Sequence, residues 1–162
     1  MTSRNIFVAL DETSESVAAL KFVLANLVQS EEDTVTLIPV IKSDSEREST
    51  FAHTKTLLTA LHDTHPSPAK FSIQILIAAA GPNSAGQALC DLAAAAQPDM
   101  LVLGSAGKSA LEGLASGSVS QHVLAHAACP VLVARVSPAD ETRLASRVHS
   151  HLTALNRGPV WI

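Results

Sequence analysis

The segment MLVLGSAGKSALEGLASGSVS, residues 100–120, contains the features that decide the fold. It begins with four apolar residues, which predict a strand buried on both faces of a parallel sheet. Gly104 and Gly107 follow this strand, and Gly117-Ser118 comes directly before a helical pattern. Glycine allows a tight turn and a close approach to a ligand, and a helix N-terminus offers N–H groups to an anion. The segment therefore predicts a strand, a ligand-binding loop and a helix.

Strands and helices alternate in both directions from this segment. Continuous apolar runs predict five strands, and apolar residues at helical spacing predict four helices between them. This order predicts an α/β fold, in which an open five-stranded parallel sheet is doubly wound and has helices on both faces. Ligands bind such sheets at the carboxyl ends of the strands. The predicted strands are residues 6–10, 35–41, 71–78, 99–103 and 130–135. The predicted cap of the first helix is Thr13 or Ser14, and that of the alanine-rich helix is Asn83. Residues 43–48 are a predicted polar link.

Length and composition exclude several classes of function. The 162 residues suffice for one domain, and 47% of them are hydrophobic against 16% charged, which excludes a disordered chain. A net charge of −4 and an aromatic content of 3% argue against nucleic acid or an anionic membrane as the main partner. No apolar run has the length of a membrane span or the form of a signal peptide. We expect a cytoplasmic protein whose Cys90 and Cys129 are reduced.

The two glycines and the Gly-Ser pair follow the spacing G-x2-G-x9-G-[ST], and GSVS-x2-VL-x-HA-x-CPVLV continues from them. This pattern resembles the ATP-binding signature of the universal stress protein family, and the resemblance covers about residues 4–135. It implies the strand order 3-2-1-4-5, which places Asp11 and Gly104 across one crevice. It also implies ATP and Mg²⁺ as cofactors and a nucleotide-sensing role in the stress response.

The resemblance assigns roles to individual residues. N–H groups and hydroxyls at the start of the fourth helix would hold the outer phosphates. Asp11 would lie at the ribose or metal side, although a carboxylate there can equally cap the first helix. The backbone of Val40 would lie next to the adenine edge, and Pro39 stands where the family often has histidine. The implied nucleotide-binding residues are Ala9, Leu10, Asp11, Val40, Leu103, Gly104, Ser105, Gly107, Lys108, Gly117, Ser118, Val119 and Ser120, with Asp11 as the metal ligand.

Two other sequence patterns would indicate a different kind of site, a P-loop or a metal site. Gly107-Lys108-Ser109 matches the end of a P-loop, but Val102 stands where that motif requires its first glycine. Lys108 can still reach a phosphate as a mobile charge. The seven histidines include pairs at helical spacing such as His122 and His126, but no pair has a cysteine at metal-site spacing. We expect ordinary histidines and no P-loop.

Three functions remain open from the sequence. The first is an ATP-binding regulatory protein that senses nucleotide and passes its state to a partner. The second is a slow Mg²⁺-dependent ATPase or phosphotransferase, for which the loop offers one lysine but no arginine or histidine. The third is a nucleotide-independent dimeric interaction or chaperone-like module, which the intact glycine signature disfavours.

The chain divides near residue 136. Residues 1–136 are the predicted nucleotide-binding domain, and residues 137–162 predict a helical extension that packs on the domain or on a dimer partner. Many members of the family dimerise by pairing the last strand with its copy. The alternation of side chains in Val131–Arg135 suits an edge strand, so we expect a homodimer through it, with the extension as a second contact.

Overall fold

The computed structural model of the chain describes residues 3–11, 13–81, 83–104 and 119–134. In these ranges, a central layer of parallel strands lies between two layers of helices. The strands are β1 (Asn5–Leu10), β2 (Thr34–Ile41), β3 (Lys70–Ile73), β4 (Leu76–Ile77), β5 (Met100–Gly104) and β6 (Val131–Ala134). The helices are α1 (Ser14–Asn26), α2 (Arg47–Thr64), α3 (Ser84–Ala96) and α4 (Val119–His126).

The sheet has the predicted doubly wound topology. All strand pairs are parallel in the order β3-β2-β1-β5-β6, and the short β4 also pairs with β2. With β3 and β4 taken together, this order is 3-2-1-4-5, which confirms the predicted fold class. The strand order reverses between β1 and β5, and the carboxyl ends of these two strands open a crevice.

The central strand β1 is buried on both faces, as its continuous apolar sequence predicts. Ile6, Val8 and Leu10 pack into a cluster with α1 and α2, whereas Phe7 and Ala9 pack into a cluster with α3 and α4. None of these five side chains is more than 8% exposed. Among the helices described, none combines the length and the hydropathy that crossing a bilayer requires.

The prediction of one continuous third strand over residues 71–78 is wrong, because the strand is interrupted between β3 and β4. The carbonyl groups of Leu37 and Ile41 on β2 accept hydrogen bonds from this strand, each at 2.9 Å. Pro39 lies between them on the same side of β2, since alternate residues of a strand face the same neighbour. Proline has no N–H to donate, so the ladder loses a bond where β3 ends.

The helix starts agree with the sequence at one position and differ at two others. Thr13 caps α1, because its hydroxyl accepts from the Ser16 N–H at 3.3 Å. Asn83 stands before α3 but makes no side-chain cap; its φ of 60° and ψ of 6° place it in the left-handed region, which asparagine tolerates. The polar link contains a short 3₁₀ helix, Asp44–Glu46, which a capping box with Ser43 begins.

A buried carboxylate joins the segment before β2 to the start of β1. Asp33 is 1% exposed and accepts hydrogen bonds from the Arg4 side chain at 2.7 Å, the Gln29 N–H at 2.8 Å and the Ser30 N–H at 3.2 Å. The bond from the Arg4 guanidinium is the largest of the effects that hold the pKa of Asp33 well below its usual range. This carboxylate therefore provides an acceptor for the backbone N–H groups of Gln29 and Ser30 and a counter-charge for Arg4.

We expect Asp33→Asn to lower the free energy of unfolding by about 3 kcal/mol at neutral pH, because a partly buried guanidinium loses its counter-charge. The folded-state pKa of Asp33 is depressed, so its stabilisation is present above the unfolded-state pKa of about 3.9 and is lost as the pH falls below it. Urea unfolding of both proteins over a pH series measures this, and the variant should show the weaker acid dependence.

The matched control is Glu32→Gln. Glu32 makes a 3.1 Å ion pair with Lys70 in which both side chains are more than 60% exposed. An exposed pair of this kind contributes less than about 1 kcal/mol. Equal losses of stability in the Asp33 and Glu32 variants would contradict the interpretation.

Candidate functional site

A cavity of about 620 Å³ lies at the carboxyl ends of β1, β2 and β5. It coincides with the crevice at which the strand order reverses, which is the place that the topology predicts for a ligand. Eight of the residues predicted from the sequence line it: Ala9, Leu10, Asp11, Val40, Leu103, Gly104, Val119 and Ser120. The other five predicted residues, Ser105, Gly107, Lys108, Gly117 and Ser118, lie outside the described residues.

The lining differs between the two sides of the cavity. On the side of β1 and β5, polar groups and helix starts are close together, including Asp11, Thr13 and Ser120. On the side of β2 and β4, the lining is mostly apolar or small, as at Val40 and Ala79, and Lys42 is its charged residue. Such a cavity suits a ligand with an anionic end and a flat, apolar end.

The turn between β1 and α1 is closed by side-chain hydrogen bonds. Asp11 Oδ1 accepts from the Thr13 N–H at 3.0 Å and from the Thr13 hydroxyl. The hydroxyl of the buried Ser16 donates to the Asp11 carbonyl at 2.9 Å and accepts from the Asp11 N–H at 3.3 Å. Asp11 therefore closes the turn before α1 but does not cap the helix, because the cap is Thr13. Its second oxygen, Oδ2, makes no hydrogen bond within the described part of the chain, and the residue lines the cavity.

Gly104 is the position at which β5 comes closest to α1. A Cβ at Gly104 would lie 2.5 Å from the carbonyl carbon and oxygen of Glu15 and 2.8 Å from the Ser16 nitrogen. These are backbone atoms in the first turn of α1, so they cannot move aside as the end of a side chain can. The structure thus requires glycine here for packing, in addition to the place beside a nucleotide that the resemblance implies.

We expect Gly104→Ala to lower the free energy of unfolding by about 2 kcal/mol or more, because the methyl group forces α1 away from the sheet. Gly81→Ala is the comparison, since no atom of the described residues lies within 4 Å of its added methyl group and its φ of +141° is the strain that opposes the change. Urea unfolding of both variants measures the difference. A Gly104→Ala protein as stable as the wild type would show that α1 does not lie this close to β5.

The metal prediction rests on one carboxylate. Among the described residues, Asp11 alone contributes a carboxylate to the lining of the cavity, and no three or more His, Cys, Asp or Glu side chains stand close enough to hold a metal ion. His122 and His126 instead stack at a ring distance of 4.3 Å on α4. Burial raises the pKa of both cysteine thiols, Cys90 and Cys129, so they are held in the neutral form.

Most of the residues that line the cavity on the side of β2 and β4 were not predicted from the sequence. Lys42 follows the end of β2, lines the cavity, and makes no hydrogen bond or ion pair within the described residues. A run of alanines before Gly81 follows β4, and small residues after a strand end at this edge of the sheet were the available signal. The lining residues that were not predicted are Thr13, Ser16, Ile41, Lys42, Ala78, Ala79, Ala80, Gly81, Ser84, Ala85 and Leu89.

Comparison with protein families finds a match of residues 2–135 to the model of the universal stress protein family. A universal stress protein family protein from Arabidopsis thaliana with AMP bound has a TM-score of 0.59 and 20% identity, and the match covers 86% of this chain and 95% of that chain. A universal stress protein in complex with cAMP has a TM-score of 0.59 and 17% identity, over 85% and 100% of the two chains.

The universal stress protein from Archaeoglobus fulgidus in complex with dAMP has a TM-score of 0.56 and 17% identity, over 82% of this chain and 98% of that chain. At these identities the likeness to the solved structures shows the fold. No curated protein matches the chain.

Proposed function

Since the chain belongs to the universal stress protein family, we propose that it binds an adenine nucleotide, ATP first of all, in the cavity at the carboxyl ends of β1, β2 and β5. The observation that carries the proposal is the convergence of eight predicted residues on one cavity. The three similar structures with AMP, cAMP or dAMP support the same ligand class, because these compounds share the adenine base.

The chemistry of the lining gives the ligand a direction. Its phosphates lie toward β5 and the start of α4, where Val119 and Ser120 line the cavity and a helix dipole favours negative charge. Asp11 Oδ2 is left for the ligand, either to accept from a ribose hydroxyl or to bind Mg²⁺. The base lies against Val40, on the apolar side. Outside the described residues, the proposal assigns the phosphates to Ser105, Gly107, Lys108, Gly117 and Ser118.

Mg²⁺ accompanies ATP in this proposal. Mg²⁺ binds through one or two carboxylates together with phosphate oxygens and several waters, so the single carboxylate of Asp11 fits such a site. When bound, the ion would neutralise phosphate charge. The residues of the chain have the separate task of holding the ribose and the base.

The biological role that we propose is that of a nucleotide-sensing regulator in the stress response. A ligand can act as a signal when it binds one conformation of the protein better than another. The cavity borders the starts of three helices, so its occupation can bias how these helices lie on the sheet. Slow hydrolysis of ATP stays an alternative, and the cytoplasmic location stays a prediction.

We expect Mg·ATP and AMP to raise the unfolding temperature of the purified protein. A ligand at about 100 times its Kd adds about 2.7 kcal/mol, which is about 5 to 10 °C in a domain of this size. Ala79→Phe should abolish the shift, because Ala79 lines the cavity and a ring there occupies the space of the base. Ala95→Phe is its control, at an exposed position of α3 that is not part of the lining.

The binding proposal is wrong if nucleotide-free wild-type protein shows no shift with any adenine nucleotide, or if both phenylalanine variants respond as the wild type does. Assays with and without EDTA test the Mg²⁺ requirement. Phosphate release over hours, if Gly117→Val abolishes it, would favour the slow-ATPase alternative.

We also propose a homodimer through the outer edge of β6. This strand pairs with β5 alone among the described strands, and the Leu101 N–H donates to the Pro130 carbonyl at 2.9 Å. In the parallel pattern, even-numbered residues of β6 therefore bond to β5, and Val131 and Val133 direct their backbone groups outward. Arg135, the last residue of the predicted dimer strand, and the extension at 137–162 lie outside the described residues.

Val133→Pro should convert the dimer to a monomer in sedimentation analysis, because it removes an outward N–H and leaves the bonds to β5 in place. Val133→Thr keeps the N–H and the branched side chain, so it should stay dimeric. A wild-type protein that sediments as a monomer at micromolar concentration would refute the dimer.

A further inference from the structure

We propose that His122 is a positioning residue of the nucleotide site, because its ring, seated on Gly86, fixes the direction in which α4 presents its first turn to the phosphates. The inference rests on the proposed function, since it concerns the same cavity. The first turns of α3 and α4 both line that cavity, through Ser84 and Ser120 among others. The contact between the two helices therefore fixes the relative positions of two walls of the cavity.

The two helices touch where α3 has no side chain. Gly86 is buried, and a Cβ there would lie 2.9 Å from His122 Cβ, 3.0 Å from Cδ2 and 3.1 Å from Cγ. The nearest of these atoms is the Cβ of the histidine, which moves only if α4 itself moves. Glycine is otherwise unfavourable inside a helix. The close fit of His122 gives a physical reason for glycine at this position of α3.

Hydrogen bonds orient the imidazole ring of His122 at its contact with Gly86. Gln87 Nε2 donates to Asp91 Oδ1 at 2.8 Å, which turns the amide so that Gln87 Oε1 faces His122 Nε2 at 3.2 Å. Because Oε1 can only accept, His122 Nε2 carries the proton. The ring of His126 stacks on His122, and its Nδ1 donates to the His122 carbonyl at 2.8 Å. The ring is therefore fixed by its packing, by an amide and by its neighbour.

This contact complements the burial of α4 against the sheet. Among the described residues of this helix, Val119–His126, Val123 is the one fully buried side chain. Val123 holds the helix against the sheet, and the contact of His122 with Gly86 sets the direction of the helix about that point. Hydrogen bonds from a helix start to a phosphate require distances near 2.9 Å and nearly linear geometry, so a small swing loses them.

The test compares the affinities for adenosine and ATP by calorimetry. The ratio of the adenosine Kd to the ATP Kd isolates the contribution of the phosphates, because both ligands share the base and the ribose. Gly86→Ala displaces α4 through the clash with His122, so we expect this ratio to fall about tenfold, the effect of one charge-assisted hydrogen bond. The Kd for adenosine should change less than about twofold, since adenosine lacks the phosphates that the first turn of α4 binds in this proposal.

A double-mutant cycle separates positioning from a general loss of stability. In a His122→Gly background the clash is absent, because the Cβ 2.9 Å away is removed together with the ring, so Gly86→Ala should lower the ratio by less than about twofold. His122→Ala alone should lower the ratio several-fold, because α4 loses the packing of the imidazole ring against Gly86. Leu124→Ala is the matched control on α4; Leu124 is 58% exposed, and its loss should leave the ratio unchanged.

The inference is overturned if Gly86→Ala lowers the ratio equally in both backgrounds, or if it leaves the ratio unchanged. Should Gly86→Ala fail to fold, His122→Ala alone decides, and an unchanged ratio in that variant refutes the positioning role. A wild-type protein that binds neither ligand refutes the proposed function together with this inference. Wild-type binding of ATP with no effect of either variant refutes the inference alone.

Discussion

The close approach of β5 to the first turn of α1 at Gly104 is the constraint on which the rest of the structure depends. The backbone of Glu15 and Ser16 occupies the space that a side chain would fill. Helix α1 covers one face of the sheet, and the turn before it forms part of the cavity wall. One contact therefore sets both a layer of the core and the shape of the cavity, and a side chain there would disturb both together.

The turn at Asp11 shows how local closure and ligand binding use the same groups. Backbone groups in a turn need partners, and the Asp11 carboxylate accepts from the Thr13 N–H while the Ser16 hydroxyl donates to the Asp11 carbonyl. Asp11 contributes one oxygen to this closure and keeps the other for the cavity. The polarity of the cavity is thus compatible with a stable turn, since Asp11, Thr13 and Ser16 both close the turn and line the cavity.

The sequence predicts those features that depend on single elements. Continuous apolar runs identified β1 and β5, and the glycine spacing identified the edge of the sheet that carries the cavity. The break after β3 was missed because the effect of Pro39 depends on the side to which its missing N–H points, and only the strand register fixes that side. The role of Gly86 was also not predicted, and the reason is related. Its role depends on a residue from another helix, and nothing in its own helix indicates that partner.

The positions of helix starts, more than the chemistry of individual side chains, determine what this cavity can bind. Many of its lining residues are alanine or glycine, which contribute little beyond backbone groups and space. Backbone donors bind a phosphate only when their helix points at it. Helix direction is set by contacts such as that of Gly104 with α1 and that of Gly86 with His122. The contact of Gly86 with His122 joins two helices and does not involve the ligand, so residues that touch no ligand can still control the affinity of the cavity.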